Sequence, residues 1–205
     1  VIDGDKRDKW YELAIFQTHV AERWIERARY QPDPFARFFF LFSAFNALYF
    51  LWRKVDGLPN APEVRHIGNL ISKFSEEDAN EILVSASEAL TYFRERRPIQ
   101  RMDDRSSRRV ATGIQRVGKQ ARDSLGERDP KVRLNALGEI LYLIRSNLVH
   151  GSKVDSGDDG EVIERSLLIL EEISRRSLEL TTADFSGTNS VVLCLRFQPE
   201  RGPDN

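Results

Sequence analysis

The sequence predicts an all-α fold, and three observations carry that prediction. Apolar residues recur at three- and four-residue spacing through Lys6 to Arg29, Leu134 to Leu148 and Ile163 to Ile173. Capping residues and prolines stand where helices would begin, at Asp33-Pro34, Pro62, Ser75 and Pro130. Only SVVLCLRF, residues 190–197, reads as a strand, and a lone strand must pair with something. The expected organisation is one helical domain over 1–185, with a basic insertion at 94–133 and a short strand-like tail at 186–205.

The first helix, from Lys6 to about Arg29, carries Trp10, Leu13, Phe16, Val20, Trp24 and Ile25, and Gln31-Pro32-Asp33-Pro34 breaks it. Asp33 is placed to cap the next helix and Pro34 suits its first turn; the helix runs to about Val55, before Asp56-Gly57. A short helix follows Pro62. Ser75, followed by Glu76, Glu77 and Asp78, opens a helix that carries Ile82, Leu83, Ala86, Leu90 and Phe93 and ends before Pro98. After the basic segment, Pro130 opens a helix with Leu134, Leu137, Leu141, Ile144 and Leu148 facing a core, and Gly151 is placed to end it. A last helix spans about Glu161 to Leu180.

Composition narrows the class. The 205 residues are 40% hydrophobic and 31% charged, as in a soluble globular chain with a real core. The single cysteine, Cys194, excludes an internal disulfide framework and a multi-cysteine zinc site. The N-terminal VIDGDKRDKW is charged and lacks the apolar region of a signal peptide, which sets the expectation of a cytoplasmic protein. The strongest apolar run, FFFLFSAFNALYFLW at 38–52, is about fifteen residues long where roughly twenty are needed to span a membrane, and Ser43 and Asn46 interrupt it. A helix apolar on nearly all faces is instead expected to be buried on two sides, against its own core and against a second chain. Asn46, an amide in so apolar a helix, needs a hydrogen-bond partner, at an interface or on the helix opened by Pro130.

Charge is unevenly distributed. Residues 94–133 hold 13 Lys or Arg against 6 Asp or Glu, while the rest of the chain holds 18 against 26. A basic segment of this kind attracts phosphates, which makes Arg105, Arg108, Arg109, Arg116 and Lys119, with Lys153 further on, candidate RNA contacts. The competing reading is a solvated loop. His19 and His66 lack a second ligand at helical spacing, so neither a metal nor a cofactor is expected.

The remaining polar feature is IRSNLVHGSK, residues 144–153, at the end of a core-facing helix. Arg145 and His150 stand five residues apart, about 140° on a helix wheel, and so flank an edge rather than form one stripe. Spacing alone favours a structural role: a histidine at a helix C-terminus interacts with the last carbonyls, and an arginine pairs with one of many acids.

RSNLVHG, preceded by LYLI and followed by Lys153, resembles the Arg-x4-His motif of the HEPN (higher eukaryotes and prokaryotes nucleotide-binding) superfamily. FNALYFLW, residues 45–52, is similar to the aromatic early helix of many members. The resemblance covers roughly residues 6–182. It implies a bundle of four to five helices, a homodimer that brings two motif helices together, and a metal-independent endoribonuclease in bacterial defence, toxin or stress response. In that reading His150 handles the proton of the ribose 2′-OH or of the leaving 5′-oxygen, and Arg145 holds the scissile phosphate. Ser146 and Asn147 are supporting residues, together with Asn46. Small toxin members carry a tyrosine two residues after the histidine, where this chain has Ser152, so silencing through that tyrosine is not expected. The candidate partners are RNA, a second copy of the chain, and an inhibitory or activating protein. Two further readings stay open: a HEPN-type module that binds RNA or nucleotide or docks a protein without cleaving, and an unrelated helical scaffold.

Overall fold

A computed structural model describes residues 4–95, 118–149 and 157–186. Every regular element among these residues is helical: α1 (Gly4–Arg29), α2 (Pro34–Val55), α3 (Glu63–Ser72), α4 (Glu76–Ser85), α5 (Ser87–Glu95), the described part of α6 (118–124), α7 (Pro130–Val149) and α8 (Gly157–Ser186). The tail strand expected at 190–197 lies outside the described residues.

Helix α2 starts where its local chemistry places it. The Asp33 carboxylate accepts from the backbone N–H groups of Phe35 (3.2 Å) and Ala36 (3.3 Å), and Pro34 occupies the first turn, where no intrahelical N–H is needed. Such a cap contributes about 1 kcal/mol. The helix packs against α1, α3 and α8. Trp24 of α1 stacks on Phe40 at 5.3 Å, while Ser174 of α8 donates to the Leu41 carbonyl at 3.3 Å and the Trp52 indole donates to Thr181 of α8 at 3.1 Å.

By length and composition α2 could cross a membrane, because the helix extends beyond the apolar run that marks it in the sequence. Ten of its 22 residues are buried against neighbouring helices, which accounts for its apolarity within the chain. The residues left partly uncovered include a stripe at alternating four- and three-residue spacing: Phe39, Ser43, Asn46, Phe50 and Arg53, with Asn46 exposed.

The single helix expected after Ser75 is two. Ser75 forms a capping box with Asp78 as its sequence indicates, but at Ala86 (φ −99°, ψ 19°) the chain leaves the α4 axis and α5 begins. Ala86 is fully buried, and the bend turns Ala79, Ile82 and Leu83 of α4, then Ala89, Leu90 and Phe93 of α5, into the same core. The apolar spacing runs through the bend without interruption, so local pattern gives no sign of it. α8 also extends beyond the expected 161–180. Its last turns are held by tertiary contacts, with Thr181 accepting from Trp52 and the Phe185 ring 5.6 Å from that of Trp52.

The end of the basic segment is not a uniform solvated loop. Residues 118–124 are helical, and Ala121 and Leu125 sit in the core, so this stretch is anchored by apolar burial while Lys119 stays exposed. The segment's earlier residues, 96–117, lie outside the described ones.

Two glycines test how tightly the helices are packed. A methyl group on Gly138 of α7 would lie 2.8 Å from both Ile67 Cγ2 and Ile71 Cδ1 of α3, whereas one on Gly160 of α8 would meet nothing within 4 Å. Gly138→Val should therefore destabilise the protein by about 1–3 kcal/mol through overpacking. Gly160→Ala should stabilise it by roughly 0.5–1 kcal/mol, since only helix propensity changes. Urea denaturation midpoints moving in the same direction for both variants would contradict this packing of α3 on α7.

Candidate functional site around Arg145

Helix α7 carries Arg145 out of the core by simple periodicity. Asp129 caps it, its carboxylate accepting from the N–H groups of Lys131 (2.8 Å) and Val132 (3.4 Å), and Pro130 is its first residue. Leu134, Leu137, Leu141 and Ile144 are fully buried, and Leu148 packs against the core while remaining partly exposed. This is the inward row expected from the sequence. Tyr142, Arg145 and Val149, at i, i+3 and i+7, then share the outward side, with Val149 51% exposed.

The Arg145 side chain reaches from α7 to α2 and α3. Its guanidinium carbon lies 5.7 Å from the centre of the Phe42 ring, and Nη1 is 3.6 Å from Glu63 Oε2. Glu63 is the first residue of α3, where a carboxylate is favoured by the helix N-terminus. Its other oxygen, Oε1, accepts a hydrogen bond from the Tyr49 hydroxyl of α2. Tyr49 is buried, and Phe45 packs edge-on against it with centroids 5.4 Å apart. Burial pushes the ionisation of Tyr49 well above the usual phenol range, and the bond to Glu63 and that residue's charge push it further; Arg145 opposes them more weakly. The hydroxyl is thus a fixed proton donor.

Phe42 and Tyr49 are seven residues apart on one side of α2, and Asn46 falls between them, within about 60° of each on the helix wheel. Asn46 therefore belongs to the α2 face over which Arg145 lies, but it is exposed. The buried polar groups of this apolar helix include the Tyr49 hydroxyl and the Trp52 indole N–H. Tyr49 carries a buried hydroxyl that needs a partner and finds one in Glu63; the aromatic character of tyrosine masks that hydroxyl in the sequence.

Ser146 and Asn147 are buried on the core side of α7, away from the outward stripe of Arg145. Lys119 is exposed on α6. His150, Lys153, Arg105, Arg108, Arg109 and Arg116 lie outside the described residues. Sequence reasoning missed Glu63 and Tyr49. The only local sign of Glu63 was an acid directly after Pro62 in a short helix, a pattern that a helix start explains by itself.

His66 is a core histidine: it is buried, with Nε2 2.9 Å from the Leu58 carbonyl oxygen. A separate groove between α3 and α7 is lined by Leu58, Val64, Arg65, Gly68, Asn135 and Glu139, among others. Burial raises the Glu139 carboxyl above its ordinary range, partly offset by a hydrogen bond of 3.2 Å from Asn135 Nδ2. Neither Arg145 nor Glu63 lines this groove.

The arrangement around Arg145 offers a half-exposed guanidinium on an aromatic ring, a carboxylate and a neutral phenol. Such a group can bind an oxyanion through a planar fork, with the ring restricting the directions of approach. Comparison with protein-family models, with curated proteins and with solved structures finds no match.

Proposed function

We propose that the chain is a metal-independent endoribonuclease of HEPN type, acting as a homodimer on RNA and serving in bacterial defence, toxin or stress response. The observation that carries this reading is the position of Arg145. It is the charged residue on the outward side of the last turns of the motif helix, five residues before His150, with 35% of its side chain exposed. In this reading Arg145 binds the scissile phosphate and His150 moves the proton for attack by the adjacent 2′-OH. The basic segment, including Arg105, Arg108, Arg109, Arg116 and Lys119, draws the RNA backbone in. The partly uncovered stripe of α2 beside Phe42 supports a second copy of the chain as the dimer partner, since a symmetric pairing there would put two Arg145 sites close together.

Labelled RNA incubated with the protein in excess EDTA should be cut to products ending in a 2′,3′-cyclic phosphate or its 3′-phosphate hydrolysis product. RNA carrying 2′-O-methyl groups and DNA should survive, because the attacking hydroxyl is absent. Light scattering at micromolar protein should give about twice the 23.6 kDa chain mass. Cleavage of DNA would overturn the mechanism, and a clean monomer would overturn the shared site.

One observation favours the second reading, a module that binds RNA or nucleotide without cutting: Glu63 already partners the guanidinium. Retained RNA binding with no cleavage by an intact dimer would decide for it.

A further inference from the structure

Glu63 stands beside the guanidinium that an anion bound to Arg145 would use. Its Oε2 is 3.6 Å from Arg145 Nη1, longer than the roughly 2.7–2.9 Å of a charge-assisted hydrogen bond, so the pair is held by charge more than by hydrogen bonding. Both side chains are partly open to solvent, 35% for Arg145 and 29% for Glu63. Solvent screening keeps such a pair weak. The carboxylate is nonetheless fixed in place, because its other oxygen accepts from buried Tyr49 and its backbone begins α3. The Phe42 ring lies against the guanidinium as well and narrows the free approaches to it.

We propose that Glu63 is a built-in competitor for the phosphate at Arg145: a tethered carboxylate that occupies the guanidinium in the free protein and must be displaced, or share it, when a nucleic-acid phosphate binds. The inference rests on the reading of Arg145 as the phosphate-binding residue. Glu63 acts on substrate through Arg145 and is a positioning residue, not a catalytic one. Its consequence is a raised threshold. A single phosphate gains little by replacing an internal carboxylate, whereas a strand held at several points supplies the local concentration needed to compete. The site would thus select polynucleotides over free phosphate or mononucleotides.

The test uses a 2′-O-methyl oligoribonucleotide, which the proposed chemistry cannot cut, and measures its affinity by fluorescence anisotropy at fixed salt. Glu63→Gln keeps an acceptor for Tyr49 and removes only the charge. It should bind roughly three- to tenfold more tightly than the wild type, the scale of a partly exposed ion pair together with relief of repulsion toward phosphate. In an Arg145→Ala background the same change should have much less effect, the non-additivity expected of two groups in contact. Glu88→Gln, which neutralises an exposed carboxylate on α5 paired with Arg165 at 2.8 Å, controls for net charge. An equal gain from Glu88→Gln, an undiminished gain without Arg145, or unchanged or weaker binding by a folded Glu63→Gln protein would each overturn the proposal. The two readings fail separately: tighter binding by Glu63→Gln with no cleavage of ordinary RNA leaves the competitor and removes the ribonuclease, and cleavage without tighter binding does the reverse.

Discussion

His150→Ala is expected to slow RNA cleavage by about 10²- to 10⁴-fold, the contribution typical of a positioned general acid or base. Imidazole is the side chain whose ordinary pKa, near 6.5, lets it take and return a proton at neutral pH, and in the proposed chemistry alanine would leave the 2′-OH with only water as its base. Arg145→Lys should fall nearly as far. An ammonium is a point charge without the planar fork, and a lysine cannot keep the guanidinium's contact with the Phe42 ring while reaching the same phosphate oxygens. Both losses should appear in single-turnover rates at saturating protein, with RNA binding largely retained in His150→Ala and weakened in Arg145→Lys. Full activity in His150→Ala would remove the proposed chemistry altogether.

Phe45→Ala is expected to cost about 3–5 kcal/mol of stability, the range for emptying a fully buried aromatic site. Phe45 is completely buried in α2, edge-on to Phe42 at 6.3 Å on one side and to Tyr49 at 5.4 Å on the other. The two rings it separates are the ones that carry the Arg145 contact and anchor Glu63. The substitution should therefore loosen the site along with the core. A folded fraction of Phe45→Ala should also show altered RNA affinity, whereas Leu134→Ala, fully buried on α7 in another part of the core, should lose about 2–5 kcal/mol while leaving that affinity per folded molecule unchanged. Urea titrations followed by circular dichroism give the first quantity and anisotropy the second. A loss below about 1 kcal/mol for Phe45→Ala would mean that the α2 core is not packed as described.

The sequence by itself determined the helical class, the starts of α2, α4 and α7, and the inward row of α7. These depend on short-range physics: a cap satisfies N–H groups two or three residues away, a proline fixes its own φ, and apolar spacing of three and four is readable within one helix. It also singled out Arg145 as a residue outside that row. Only the tertiary structure decided the rest. The break at Ala86 exists because α4 and α5 must both fill one core, a demand that leaves the apolar period unchanged. The last turns of α8 are held by Trp52, more than a hundred positions earlier in the chain. In α2 the amide of exposed Asn46 and the buried hydroxyl of Tyr49 stand only three residues apart, and which of them is buried depends on where α3 packs. The partner of Arg145 is the least legible feature, because 32 acidic residues were available and chain proximity favoured none of them. Glu63 was selected by the packing of α3 between α2 and α7, since an ion pair depends on distance in space, and that distance is set by the core.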